Sequence, residues 1–161
     1  MTIRPEQHAR ALAVLALLTL GIVVTAQAPD PAVGKWNLNV AKSKFSPGPA
    51  PKSTTAMIST AGAAYKVVVD AVAPDGAKVH WEYSANFDGK PHPVKGNPDG
   101  DMVVAKRVNA TTVETSYTLK GKPTTSNSRV VSADGKTMTV TSTGTNGQGQ
   151  KITNVQVFER G

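Results

Sequence analysis

Val79-His80-Trp81-Glu82-Tyr83-Ser84-Ala85-Asn86-Phe87, followed at once by Asp88-Gly89, decides the fold class. Val79, Trp81, Tyr83, Ala85 and Phe87 are apolar, while Lys78, His80, Glu82, Ser84 and Asn86 alternate with them and are polar. Successive side chains of a β-strand point to opposite faces, so this period of two buries an aromatic face and leaves the other wet. Asp-Gly then suits the two positive-φ positions of a type I′ turn, whose twist matches an antiparallel hairpin. The same pattern continues on both sides. Tyr65, Val67, Val69 and Ala71 repeat it upstream, with Val68 and Val72 blurring the second face. Downstream, Val113, Thr115, Tyr117 and Leu119 alternate with Thr112, Glu114, Ser116 and Thr118. Turn signals recur one strand apart at Ala61-Gly62, Asp75-Gly76, Asp99-Gly100, Asn109-Ala110, Lys120-Gly121, Asp134-Gly135 and Asn146-Gly147.

Strands are therefore predicted near 34–39, 53–60, 64–72, 77–87, 101–108, 111–119, 124–132, 136–143 and 150–159, with no helical spacing of apolar residues among them. The fold class is all-β, a single antiparallel up-and-down meander of about eight to ten strands. With no helix to cover a face, the sheet must close as a barrel or fold over as a β-sandwich. Short, even connections favour the up-and-down barrel, because a Greek key needs a long return. Three segments depart from the pattern. Residues 40–52 carry Pro47, Pro49 and Pro51, and form a Pro-rich loop that either crosses one end as a lid or runs over the surface. Lys90-Pro91-His92-Pro93-Val94 lacks two ladder donors and belongs at an edge or outside the sheet. Thr124 to Arg129 is polar on both faces, so that strand is either an exposed edge or the lining of a polar interior.

The chain has 161 residues, 18 Lys and Arg against 11 Asp and Glu, and no Cys. One domain is expected, and a disulfide-stapled mini-protein, a zinc ribbon and a thiol enzyme are excluded. Arg4, His8 and Arg10 precede an uncharged apolar run from Ala11 to Val24, too short to cross a bilayer core of about 30 Å comfortably. Small residues follow, so residues 1–26 read as a signal peptide cleaved after Ala26 or Ala28, with 27–161 as the barrel domain. The expected location is periplasmic or secreted, with no transmembrane segment after cleavage. Removal of residues 1–26 takes away Arg4, Arg10 and Glu6, leaving 16 basic and 10 acidic side chains. Without Cys, an exported chain must draw its stability from packing and strand pairing.

Gly34-Lys35-Trp36 opens the first strand, and Arg160 closes the last. This resembles the calycin barrels, the lipocalins and their relatives, in which a Gly-x-Trp on the first strand packs beside a basic side chain from the end of the barrel. The resemblance implies that Trp36 plugs the floor with the Arg160 guanidinium over its ring, a contact worth about 0.5–2 kcal/mol. Gly34-Lys-Trp-Asn-Leu-Asn39, Ser43-Lys-Phe-Ser-Pro-Gly48 and Val131-Ser-Ala-Asp-Gly-Lys-Thr-Met-Thr139 also resemble small exported bacterial proteins. That likeness spans most of the chain and adds no functional residue.

The residues that carry chemistry are sparse. A two-residue turn at Asp88-Gly89 pairs Phe87 with Lys90 and sets His92 opposite Ala85, about 16 Å from His80, too far to share a metal ion. Asn97-Pro-Asp-Gly-Asp101 has alternating oxygens, but Met102 stands where a calcium loop needs its glycine, so a tight turn is the expectation. There is no Gly-x-Ser-x-Gly elbow, no His-Glu-x-x-His and no phosphate-binding glycine loop before a helix, so no catalytic residue, metal or cofactor is expected. Lys106, Arg107, Lys120, Lys122 and Arg129 form a basic stripe, yet Trp81, Tyr83 and Tyr117 are committed to apolar faces and make no stacking platform for nucleic acid. The expectation is a monomeric, non-catalytic barrel that holds a small apolar or amphipathic ligand. Trp81, Tyr83, Phe87 and Tyr117 form its wall, and Trp36 and Arg160 close one end. The alternative is a structural or interaction module with a filled core, whose basic face meets an anionic envelope component.

Overall fold

The computed structural model describes residues 30–62 and 64–161. The signal peptide and both cleavage positions expected from the sequence lie outside the described residues. Ten strands follow one another: β1 Gly34–Leu38, β2 Ser53–Ala61, β3 Ala64–Val72, β4 Lys78–Ala85, β5 Pro91–Lys95, β6 Met102–Arg107, β7 Thr112–Leu119, β8 Lys122–Val131, β9 Thr137–Thr145 and β10 Lys151–Arg160. Each pairs antiparallel with its sequence neighbours, and β1 returns to β10 through Trp36 opposite Arg160 and Leu38 opposite Phe158. The sheet is a closed up-and-down barrel. Closure removes every edge, and with it the sandwich alternative.

Alternation puts the predicted apolar face inside. Tyr65, Val67 and Val69 on β3 are buried, and register sets Val67 between Ile58 and Tyr83 and Val69 between Ala56 and Trp81. The end where β1 begins is sealed. Trp36 is wholly buried there, and its indole Nε1 donates to the Ala32 carbonyl at 2.8 Å. The Arg160 guanidinium lies 4.3 Å from the Trp36 ring centroid and donates to the carbonyls of Gly135, Val33 and Pro31 at 2.7, 2.9 and 2.6 Å. Gly34 has φ +137°, and a Cβ there would stand 2.7 Å from Arg160 Nη1. The glycine of the motif therefore makes room for the arginine that covers the tryptophan.

Three local expectations change. Residues 91–95, expected at an edge or outside the sheet, are a strand inside the closed barrel, between β4 and β6. Val94 donates to Asp101 on the β6 side at 2.8 Å, so by alternation the nitrogens of Pro91 and Pro93 face β4. On that side only Glu82 with Lys95 and Tyr83 with Val94 are in register, which is how the ladder accommodates two missing donors. The Pro-rich loop does not wander. After a 3-10 turn at Val40–Lys42 it runs back along β10, with Lys44 and Val155 exchanging backbone bonds at 2.7 and 2.8 Å and Thr153 donating to Ser46 at 2.8 Å. The turns are mostly not type I′. Lys120-Gly121 has both φ angles positive, at 52° and 75°, but at Asp75-Gly76 and Asp134-Gly135 the glycine alone is positive and the aspartate accepts the N–H two residues on. An Asx turn with an αL glycine satisfies the same Asp-Gly pair without forcing aspartate across to positive φ.

Candidate functional site

The barrel is not filled. A cavity of about 270 Å³ runs from the open end towards the Trp36 plug, at the low end of the roughly 300–1,000 Å³ typical of small-molecule pockets. One side is apolar and is built by the inward positions of β2 to β4, namely Ala56, Ile58, Val67, Val69, Trp81 and Tyr83. Trp81 and Tyr83, two apart on β4, stack with centroids 6.1 Å apart, and Tyr83 meets the edge of Tyr117 at 6.3 Å. Burial drives the Tyr83 hydroxyl pKa well above its usual value and that of Tyr117 up to about 12, so both are neutral hydrogen-bonding groups at physiological pH. Phe45 and Pro51 of the Pro-rich loop line the mouth.

Deep on the other side stands Arg129. The register of β8 sets it between Val113 of β7 and Val140 of β9, and it is only 9% exposed. Its guanidinium lies 4.7 Å from the Tyr65 ring centroid, and its Nε is buried with no hydrogen-bond partner. Desolvation lowers the Arg129 pKa to about 10, while the charge of Asp30 pulls the other way, so the group remains a cation at neutral pH. Asp30 itself is engaged elsewhere, accepting from Arg107 Nη2 and from the Ala32 N–H. Among the described residues no carboxylate forms an ion pair with Arg129. A buried cation without a paired anion is costly to fold around, which makes it a group poised for an anion supplied from outside.

The structure distributes the sequence candidates between these features. Trp81, Tyr83 and Tyr117 line the cavity. Phe87 does not. It sits at the sealed end, 5.7 Å from Tyr65 and under the Arg107 guanidinium at 4.2 Å. Trp36 and Arg160 belong to the plug. Arg129, counted from sequence with the surface basic stripe, points inward, because strand 122–131 is the lining of a polar interior and is paired on both sides. The sequence allows that strand as either edge or lining, and the run of Thr, Ser and Asn before Val130-Val131 is the signal for the lining. His80 bonds Asp70 at 2.7 Å and His92 bonds Asp88 at 3.0 Å, separately. Among the described residues no three metal-ligating side chains converge. In the Asn97 to Asp101 turn, Asn97 accepts from Asp99 N–H, Asp99 from Gly147 N–H and Asp101 from Lys120 N–H, so these oxygens tie together the loops of the open end.

No family model matches the chain, and no curated protein matches it. Among solved structures it is similar to the zebrafish ileal bile acid-binding protein in complex with cholic acid, with a TM-score of 0.47 and 11% identity over 81% of this chain and 99% of that one.

Proposed function

We propose that the protein is an exported, non-catalytic carrier or sensor that encloses one small amphipathic anion, with the carboxylate or equivalent group on Arg129 and the apolar body against Val67, Val69, Trp81 and Tyr83. Arg129 carries this reading. A filled core would have paired that charge or replaced it with an apolar residue of similar volume, and the cavity beside it favours a binding interior over a packed one. The neutral tyrosines and the apolar wall lower the local dielectric, which strengthens an Arg–carboxylate pair, and the planar guanidinium accepts a carboxylate in bidentate fashion. Cationic and neutral amphiphiles gain the apolar wall but no ion pair from this arrangement. The signal-peptide reading of residues 1–26 supports a location in the periplasm or outside the cell.

The test is titration of the mature protein with dodecanoate, followed by calorimetry and by the fluorescence of Trp81. Saturable one-to-one binding is expected, with dodecanol bound at least tenfold more weakly. Arg129→Met should abolish the preference for the acid while keeping or raising thermal stability, since it removes an unpaired buried charge. Equal affinity of Arg129→Met and the parent for dodecanoate would overturn the assignment.

A further inference from the structure

The cavity changes character from side to side. Facing the apolar wall, β7 to β10 bring Thr115, Asn127, Ser142 and Asn154 into one cross-strand row, each the register partner of the next. Thr115 and Ser142 are 7% and 8% exposed, and Thr125, two residues along from Asn127 towards the open end, is 7% exposed. Ser142, Asn154 and Thr125 border a second compartment of about 180 Å³, which shares Trp81, Tyr117, Asn127 and Gln156 with the first. Asn127 Oδ1 is buried there with no hydrogen-bond partner. Inward positions of a closed barrel are ordinarily filled by apolar side chains; Asn154 Oδ1 is satisfied by the Ser46 N–H at 3.0 Å, but Asn127 Oδ1, buried without a partner, costs desolvation unless something bonds to it.

We infer that this polar wall is a second subsite, for neutral hydroxyl or amide groups carried along one side of the anion that Arg129 holds. The inference rests on the binding reading above and adds what the rest of the ligand must look like. Asn127 and Arg129 are two residues apart on the inward face of β8, so the hydroxyl belongs on the side of the ligand that faces β8, nearer the open end than the carboxylate. A hydroxyl there donates to Asn127 Oδ1 and accepts from the amide or from Ser142. The carboxylate of Asp99 at the border of the compartment disfavours a second anionic group, and the apolar wall opposite disfavours polar groups on both sides of the ligand. The ligand class is a compact carboxylate with one polar side and one apolar side, as distinct from a plain fatty acid whose polarity is confined to one end.

Dodecanoate and a mid-chain hydroxydodecanoate test this on the mature protein. The hydroxylated probe should bind about tenfold more tightly. Asn127→Leu should erase the difference between the two probes, and Ser142→Ala, a smaller change, should reduce it if the leucine variant does not fold. Equal or weaker binding of the hydroxylated probe, with dodecanoate bound normally, overturns the polar subsite and leaves the Arg129 assignment standing. Failure of both probes to bind the parent protein overturns both.

Discussion

At the residue scale, two arginines near the sealed end of the barrel stand in opposite circumstances. Arg160 has three carbonyls and a ring to satisfy it, and Arg129 has a ring but no partner for Nε. The first was legible in the sequence, because Gly34, Trp36 and Arg160 stand at the two strands that close the barrel. The second was not, since whether an arginine in a polar strand points in or out depends on register, and a one-residue slip reverses every side chain. Phe87 shows the converse. Its alternation with Tyr83 and Ala85 is real, but depth along the barrel is not encoded in a period of two, and it belongs to the plug with Tyr65 and Arg107. Trp36→Ala should cost about 3–5 kcal/mol in urea unfolding, as expected for a wholly buried ring. Arg160→Met should cost about 1–3 kcal/mol for its carbonyl bonds and ring contact. A loss below about 0.5 kcal/mol in either would contradict the plug.

At the element scale, β8 and β9 carry the polar wall, and their close approach depends on Gly144. A Cβ there would meet the Thr124 carbonyl oxygen at 2.2 Å, on a backbone already at φ +131°. Gly144→Ala should therefore destabilise by about 2 kcal/mol or more and loosen the polar row, read as a lower urea midpoint and a lost preference for the hydroxylated probe. The Pro-rich loop is held to β10 by Ser43 Oγ, which accepts from Val157 N–H, and by Lys42 with Glu159. The Lys42 ammonium, with Asn39, lowers the Glu159 pKa in the folded state. That contribution is present above the unfolded carboxylate value and is lost as pH falls through the lower folded one. Protection factors at Thr153 and Val155, which are exchange rates corrected for their intrinsic pH dependence, should thus fall in acid, and Glu159→Gln should remove this fall. The loop's prolines announced an irregular segment, but its return along β10 was hidden, because a backbone ladder leaves no pattern in side chains that face solvent.

At the scale of the whole molecule, the sequence pattern sufficed for a closed antiparallel meander, because alternation and turn spacing repeat along the chain and tolerate local errors such as the tenth strand. The interior was less legible. Its contents depend on how ten strands stagger together, which no single strand records. Buried tyrosines also give the barrel an alkaline limit. Burial pushes the Tyr117 pKa up to about 12 against an ordinary value of 10.0, so its own contribution to stability is intact below about pH 10 and falls by roughly 2–3 kcal/mol as the pH rises towards 12. Arg129, lowered from 12.5 to about 10 in the fold, works in the opposite direction over the whole of that range, so the Tyr117 contribution is read as the difference between the parent and a Tyr117 variant. Between pH 10 and 12 the thermal midpoint of Tyr117→Phe should rise relative to that of the parent. The central claim, an anion seated on a buried and unpaired arginine, is tested most directly by proton–nitrogen NMR of the Arg129 side chain during titration with dodecanoate. The account predicts a saturable downfield shift of the Arg129 Nε–H, accompanied by shifts of the Val67 and Val69 methyl groups. Shifts confined to residues on the outer surface, with the Arg129 resonance unmoved at saturation, would contradict it.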